Sequence, residues 1–102
     1  MEKLNAENFE NTIKNDKVIV DFWAEWCGPC KQLGPIFKEL STEIDGVTFA
    51  KVDVDENGQI AQDYKVRGIP TMVLFENGKE IDRIVGFVPK DSLKQKIEKA
   101  FA

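Results

Sequence analysis

The 102-residue chain contains no histidine. That absence removes Cys-His and Ser-His-Asp hydrolases, histidine-ligated metal sites and any imidazole proton shuttle working near neutral pH. Cysteine is scarce, with two residues in all, and two cysteines three positions apart cannot build the disulfide framework of a small secreted domain. Basic charge is also short. Lys and Arg number 14 against 18 Asp and Glu, giving a net charge of −4 and a pI of about 4.8. The electrostatic footprint of a nucleic-acid binder is missing, and no nucleic-acid partner is expected. Long apolar runs are absent too: Val18-Ile19-Val20 is broken by Asp21, far short of the roughly 20 residues a spanning helix needs, so no membrane partner is expected. Met1-Glu2-Lys3-Leu4-Asn5 has no basic stretch leading into an apolar one, and no Asn-x-Ser/Thr acceptor occurs. A cytoplasmic location is the expectation.

What is present reads as one domain, residues 1–102, with 42% apolar and 31% charged residues. Hydrophobic periodicity switches between two and 3.6 along the chain. Asn5-Ala6-Glu7-Asn8-Phe9 opens a capped helix that runs through Ile13 and stops at Asn15-Asp16, after a possible short strand. Residues 17–23 form a near-continuous apolar, β-branched run, the pattern of a central strand covered on both faces, with Asp21 as its anomaly. Leu33, Ile36, Phe37, Leu40 and Ile44 recur at helical spacing up to Gly46, with Pro35 expected to kink that helix. Strands are predicted at 47–54 and 71–75, a short helix at 57–64, and a hairpin at Glu76-Asn77-Gly78-Lys79 leading into a strand through Ile81, Ile84 and Val85. Pro89-Lys90-Asp91-Ser92 starts a last helix with Leu93, Ile97 and Phe101 on one stripe. The predicted class is α/β, with helices on both faces of a mixed sheet.

The chemistry-bearing segment is Trp26-Cys27-Gly28-Pro29-Cys30, after the apolar strand and at the start of a helix. Three residues apart on a helix, two sulfurs share a face and can close a small disulfide ring. Cys27 lies at the N-terminal end, where free N–H groups and the helix dipole favour a thiolate, so it is the expected nucleophile and the more exposed thiol. Cys30, one turn deeper and better shielded, is placed to attack a mixed disulfide. Pro29 restrains the turn and contributes no donor. The alternatives are half of a zinc site, or two ordinary buried cysteines. With no third cysteine and no histidine, a closed zinc site would need carboxylates or a second chain, and no metal is expected. Asp53-Val54-Asp55-Glu56-Asn57-Gly58 copies the first half of a calcium loop, but position twelve is Tyr64 instead of a bidentate Glu, and a strand-to-helix loop explains the string.

Across these residues the chain resembles the thioredoxin family, from about Leu4 to the C-terminus. Asp21-Phe22-Trp23-Ala24-Glu25-Trp26-Cys27-Gly28-Pro29-Cys30-Lys31 is similar to that family's active-site stretch. Pro35, Ala50-Lys51-Val52-Asp53-Val54-Asp55, Arg67-Gly68-Ile69-Pro70-Thr71, Gly78 and Gly86 match further signatures. The resemblance implies a thioredoxin fold, a central mixed β-sheet flanked by four helices, and a general protein-disulfide reductase. It assigns the nucleophile to Cys27, the resolving thiol to Cys30, a buried proton-relay carboxylate to Asp21 and its charge partner to Lys51. It implies a cis Ile69-Pro70 bond. It also places substrate contacts at Trp26, Gly28, Pro29, Gly68, Ile69, Pro70, Thr71, Val85, Gly86 and Phe87. Phe87 is larger than the small residue often found there, and Pro89 opens the last helix where many members lack proline. These departures bear on partner preference.

Each supporting residue has a plainer reading. Asp21 read alone admits a strand-end carboxylate turned to water, but an acid inside an apolar strand six positions before Cys27 is expected to be buried and functional. Pro70 admits a trans turn, and Lys51 a solvated lysine. Trp23 reads as core, with its indole finding a polar partner near Asp21. None of the seven glycines falls in a G-x-G-x-x-G string, so there is no recognisable dinucleotide site, no cofactor is expected beside the redox-active Cys27–Cys30 disulfide, and another protein must re-reduce the pair. The implied partners are a thioredoxin reductase and disulfide-containing client proteins, with the chain a monomer. A rival reading is a non-catalytic module that uses the apolar collar to dock a permanent partner.

Overall fold

Strand β2 (Lys17–Trp23) is the axis of the computed structural model, which describes residues 1–102. Its residues are buried from Val18 to Phe22, as a β-branched run with no polar alternation requires. The chain order is β1 (Glu2–Lys3), α1 (Phe9–Ile13), β2, α2 (Gly28–Glu43), β3 (Thr48–Asp53), α3 (Gly58–Asp63), β4 (Thr71–Glu76), β5 (Lys79–Val85) and α4 (Lys90–Ala100). The five strands lie in the order β1-β3-β2-β4-β5. β1 and β2 run parallel to β3, while β4 runs antiparallel to both β2 and β5. The expected mixed sheet with four helices is what forms.

Strand alternation divides the core between two faces. Val18, Val20 and Phe22 join Ala50, Val52, Val73 and Phe75 beneath Phe9, Ile13 and Ile60, so α1 and α3 cover one face. Ile19, Met72, Leu74 and Ile84 pack with Leu33, Phe37, Leu40, Leu93 and Ile97, so α2 and α4 cover the other. By the same alternation Asp21 and Trp23 share the face of Ile19, under α2.

Local chemistry sets the boundaries. Asn5 Oδ1 accepts the N–H groups of Glu7 and Asn8, and Asn8 Oδ1 accepts that of Asn5. The predicted helix start at Asn5 is therefore a capping turn, and the regular helix begins later, at Phe9. The hairpin between β4 and β5 has both central residues at positive φ, Asn77 at 53° and Gly78 at 86°, the backbone that an Asn-Gly pair tolerates best. Arg83 on β5 donates to the Tyr64 carbonyl at 2.8 Å and pairs with Glu80 at 2.9 Å, fastening the end of α3 to the sheet edge. Lys90 sits 2.8 Å from Glu39 and 2.6 Å from Glu43, joining α4 to α2 at the surface. These two carboxylates hold the Lys90 ammonium above the ordinary lysine range.

Phe37 is fully buried and lies edge-on to Phe49, with ring centroids 5.0 Å apart. Phe37→Ala is expected to lower the stability by about 3–5 kcal/mol through lost burial and a cavity, whereas Lys90→Met, which removes solvent-screened pairs, should cost less than about 1 kcal/mol. Urea midpoints of the two variants check this ordering.

Candidate active site

Strand direction collects four chain segments at one end of the sheet. The loops after β2 and β3 leave from the same end because these strands are parallel, and β4 enters there because it is antiparallel to β2. β5, antiparallel to β4, ends there too. Trp26 to Cys30, Asp55, Gly68 to Pro70, and Val85 to Phe87 therefore converge although they lie far apart in the chain.

Cys27 is the N-cap of α2, in an extended conformation, and its Sγ accepts the backbone N–H of Cys30 at 3.2 Å. Pro29 occupies the first turn, where a missing N–H breaks no helical bond. That turn carries no carboxylate, so the partial positive charge of the helix start is left to the sulfur. Cys27 and Cys30 form a disulfide, with Cα atoms 5.2 Å apart. Cys27 Sγ also lies 3.7 Å from the Ile69 carbonyl oxygen. The expected difference in exposure between the cysteines is not found: Cys27 is 4% and Cys30 3% exposed. Ile69, Val54 and Trp23 pack around Ala24, Cys27 and Cys30, and this cover shields both cysteines alike.

The surrounding rim is apolar and open. Trp26 is 70% exposed, Val85 66% and Phe87 40%, while Gly28, Pro29 and Gly68 are exposed and Ile69 and Gly86 half-buried. The Ile69-Pro70 bond is cis, and the Gly86 N–H donates to the Pro70 carbonyl at 2.8 Å. Gly86 does so at φ 92°, a backbone state that a side chain would strain. Two expected contacts sit differently. Pro70 is buried, and buried Thr71 turns its hydroxyl inward to donate to the Gly68 carbonyl at 2.5 Å, closing the loop instead of facing the rim.

Asp55 was not singled out as a site residue by sequence reasoning. Its Oδ2 accepts the Trp26 indole N–H at 2.9 Å and holds the exposed ring in place. The available signal was parallel pairing, which brings an acid-rich loop after β3 beside the loop after β2. Asp53 Oδ1 accepts the N–H groups of Asp55 at 2.9 Å and Glu56 at 3.3 Å, so the calcium-like string is an Asx turn.

Asp21 is fully buried, and no protein group is hydrogen-bonded to either carboxylate oxygen. Burial pushes its carboxyl from 3.8 up to about 7, against the opposing charge of Lys51. Lys51 is the register partner of Asp21 on β3, yet its ammonium lies over the Trp23 ring, 4.5 Å from the centroid. Trp23 is half-buried instead of core, and its polar neighbour is this ammonium over the ring face.

A helix-capping disulfide beside a cis-proline loop, with a buried acid beneath the helix, defines a thiol–disulfide exchange protein. Likeness to known proteins supports that class. The thioredoxin family model matches residues 1–99. The chain is similar to the thioredoxin of Mycoplasma pneumoniae, with 56% identity over 81 residues and 79% of each chain covered. It is also similar to that of Staphylococcus saprophyticus, with 44% identity over 98 residues, covering 95% of this chain and 94% of that protein. Among solved structures, Plasmodium falciparum thioredoxin superposes with a TM-score of 0.91 at 38% identity, over 97% of this chain and 98% of that one. A mutant thioredoxin from Halobacterium salinarum gives 0.90 at 40%, over 99% and 90%. The chain belongs to the thioredoxin family, and it is a thiol–disulfide oxidoreductase whose redox group is its own disulfide. No three or more His, Cys, Asp or Glu side chains are grouped as metal ligands, and no helix is long and apolar enough to cross a membrane.

A carboxyl with a raised folded pKa binds more protons folded than unfolded between pH 3.8 and about 7. Its stability penalty therefore grows as pH rises through that window and levels off above it. Asp21→Asn should stabilise the protein by about 2–4 kcal/mol above neutrality, less the cost of burying an unpaired amide. The gain should vanish near pH 4. Urea unfolding of both proteins at pH 4 and pH 8 checks the sign.

Proposed function

We propose that this single domain, residues 1–102, acts as a monomeric general protein-disulfide reductase in the cytoplasm, with Cys27 as nucleophile. The observation that carries the assignment is the position of Cys27 Sγ at the start of α2, accepting the Cys30 N–H. With the two cysteines equally buried, electrostatics alone separates them, and the helix start favours the Cys27 thiolate.

In the reduced protein the Cys27 thiolate attacks a client disulfide. A Cys27–client disulfide forms, the client S–S bond breaks, and one client sulfur leaves as a thiol after taking a proton. Cys30 then loses its proton to the ionised Asp21 carboxylate and attacks Cys27 Sγ, which closes the Cys27–Cys30 disulfide; the second client sulfur leaves as a thiolate and takes up the proton that Asp21 gives back. Two electrons and two protons pass to the client. Lys51 moderates the charge on Asp21 through its opposing field. Trp26, Gly28, Pro29, Gly68, Ile69, Val85, Gly86 and Phe87 form the docking collar, while buried Pro70 and Thr71 support it from beneath, Thr71 by closing the Gly68 turn. The oxidised chain is re-reduced by a thioredoxin reductase, which docks on the same collar.

Cys30→Ser should accumulate thiol-sensitive mixed disulfides with client proteins, because attack survives and resolution is lost. Cys27→Ser should give none, and the double serine variant should reduce nothing. Gel analysis with and without reductant reads this out, and client adducts that form on Cys30 would reverse the roles. Brief alkylation of the reduced protein should label Cys27 first by peptide mapping.

A further inference from the structure

A lysine stands opposite Asp21 in the sheet register, yet no protein donor, that lysine included, is hydrogen-bonded to either Asp21 oxygen. Paired strand positions bring side chains of one face close together, and an ammonium beside a buried carboxylate would normally close on it. Lys51 instead lies over the indole of Trp23, 4.5 Å from its centroid, within the range in which a ring face attracts a cation. Trp23 follows Asp21 by two residues on β2, so its ring rises from the same face. It also packs against the cluster of Ala24, Cys27 and Cys30.

We propose that Trp23 is a positioning residue whose indole face holds the Lys51 ammonium out of contact with the Asp21 carboxyl.

The other charges around Lys51 do not account for its position. On β1, Lys3 is its register partner and carries like charge. On α2, Lys38 lines with Lys3 and Lys51 a cleft of about 620 Å³, again with like charge. Glu25 after β2, Asp53 on β3 and Glu56 after β3 line a second cleft, of about 180 Å³, together with Trp23 and Lys51. None of them forms an ion pair with Lys51. From β4 the register partner of Asp21 is Met72, which brings no charge. No ion pair holds the ammonium, and the ring face is what it lies against.

An unpaired carboxyl can take and return a proton near neutrality, which a tight ion pair would prevent by keeping it ionised. This consequence rests on the reading of Asp21 as proton acceptor for Cys30, but the placement of Lys51 does not.

The test is a carboxyl-carbon NMR titration of Asp21 in the oxidised protein for wild type, Trp23→Leu and Trp23→Phe, each repeated with Lys51→Met. With the ring gone, Lys51 reaches the carboxylate, and the Asp21 midpoint should fall by about one pH unit or more. Trp23→Phe, which keeps a ring face, should stay near wild type, and in the Lys51→Met background Trp23→Leu should shift the midpoint little. An equal fall in both the Lys51 and the Lys51→Met proteins would show that water entry is the cause and overturn the proposal. An unchanged or raised midpoint in Trp23→Leu would overturn it as well. Wild type supplies a readout that needs no variant: the ε-methylene protons of Lys51 should be displaced upfield by the indole ring current, and ordinary solvated positions would contradict the placement. A wild-type rate of disulfide resolution in Asp21→Asn would instead sink only the proton-acceptor role.

Discussion

A carboxyl group buried in the central strand, with no protein group hydrogen-bonded to either oxygen, is the constraint around which the site is arranged. Burial without a partner is costly for a charged group, and the cost appears as a proton held up to a pH of about 7. A strand of Val, Ile and Phe has no structural need of an acid at this position. Sheet pairing with β3 and β4 on either side, and α2 over the face, keep Asp21 out of water. The stability given up there is offset by two continuous apolar cores, one on each face of the sheet.

The helix that covers Asp21 is also the one whose start carries Cys27. This couples two electrostatic devices of opposite sense. At the N-terminus of α2 the helix field and the Cys30 N–H favour negative charge on sulfur, while beneath the same helix the apolar surroundings disfavour negative charge on carboxylate. A thiolate is thereby favoured on one sulfur while a carboxyl beneath the same helix is kept close to half-protonated at neutral pH. The cis Ile69-Pro70 loop completes the arrangement by placing a backbone carbonyl 3.7 Å from the reactive sulfur, and Gly86 fastens that loop to the end of β5.

Much of this was legible in the sequence, for physical reasons that differ by element. The 17–23 run announced a strand covered on both faces because it lacks polar alternation, and Asp21 stood out against it. Asn77-Gly78 announced its turn because few other pairs accept two positive φ values. The Trp-Cys-Gly-Pro-Cys string located the redox pair because its place at a helix start carries the electrostatics. What depended on chain segments meeting in space was harder to read. The two cysteines are buried to the same degree in a cluster against which Ile69, Val54 and Trp23 pack, residues drawn from three separate chain segments. The Trp26–Asp55 hydrogen bond, the inward turn of Thr71 and the seat of Lys51 on Trp23 likewise follow from strand order and side-chain direction, which no local pattern encodes.

The central claim is that Asp21 works as a base near neutral pH during resolution of the mixed disulfide. Its most direct test is the pH dependence of that single step, followed by stopped-flow release of a peptide thiol from a preformed Cys27–peptide disulfide between about pH 5 and 9. The account predicts a rate that rises with pH and bends near the Asp21 titration, at about 7, and an Asp21→Asn protein that is slower and has lost that bend. A wild-type rate with no inflection near neutrality, or the same inflection in Asp21→Asn, would contradict it.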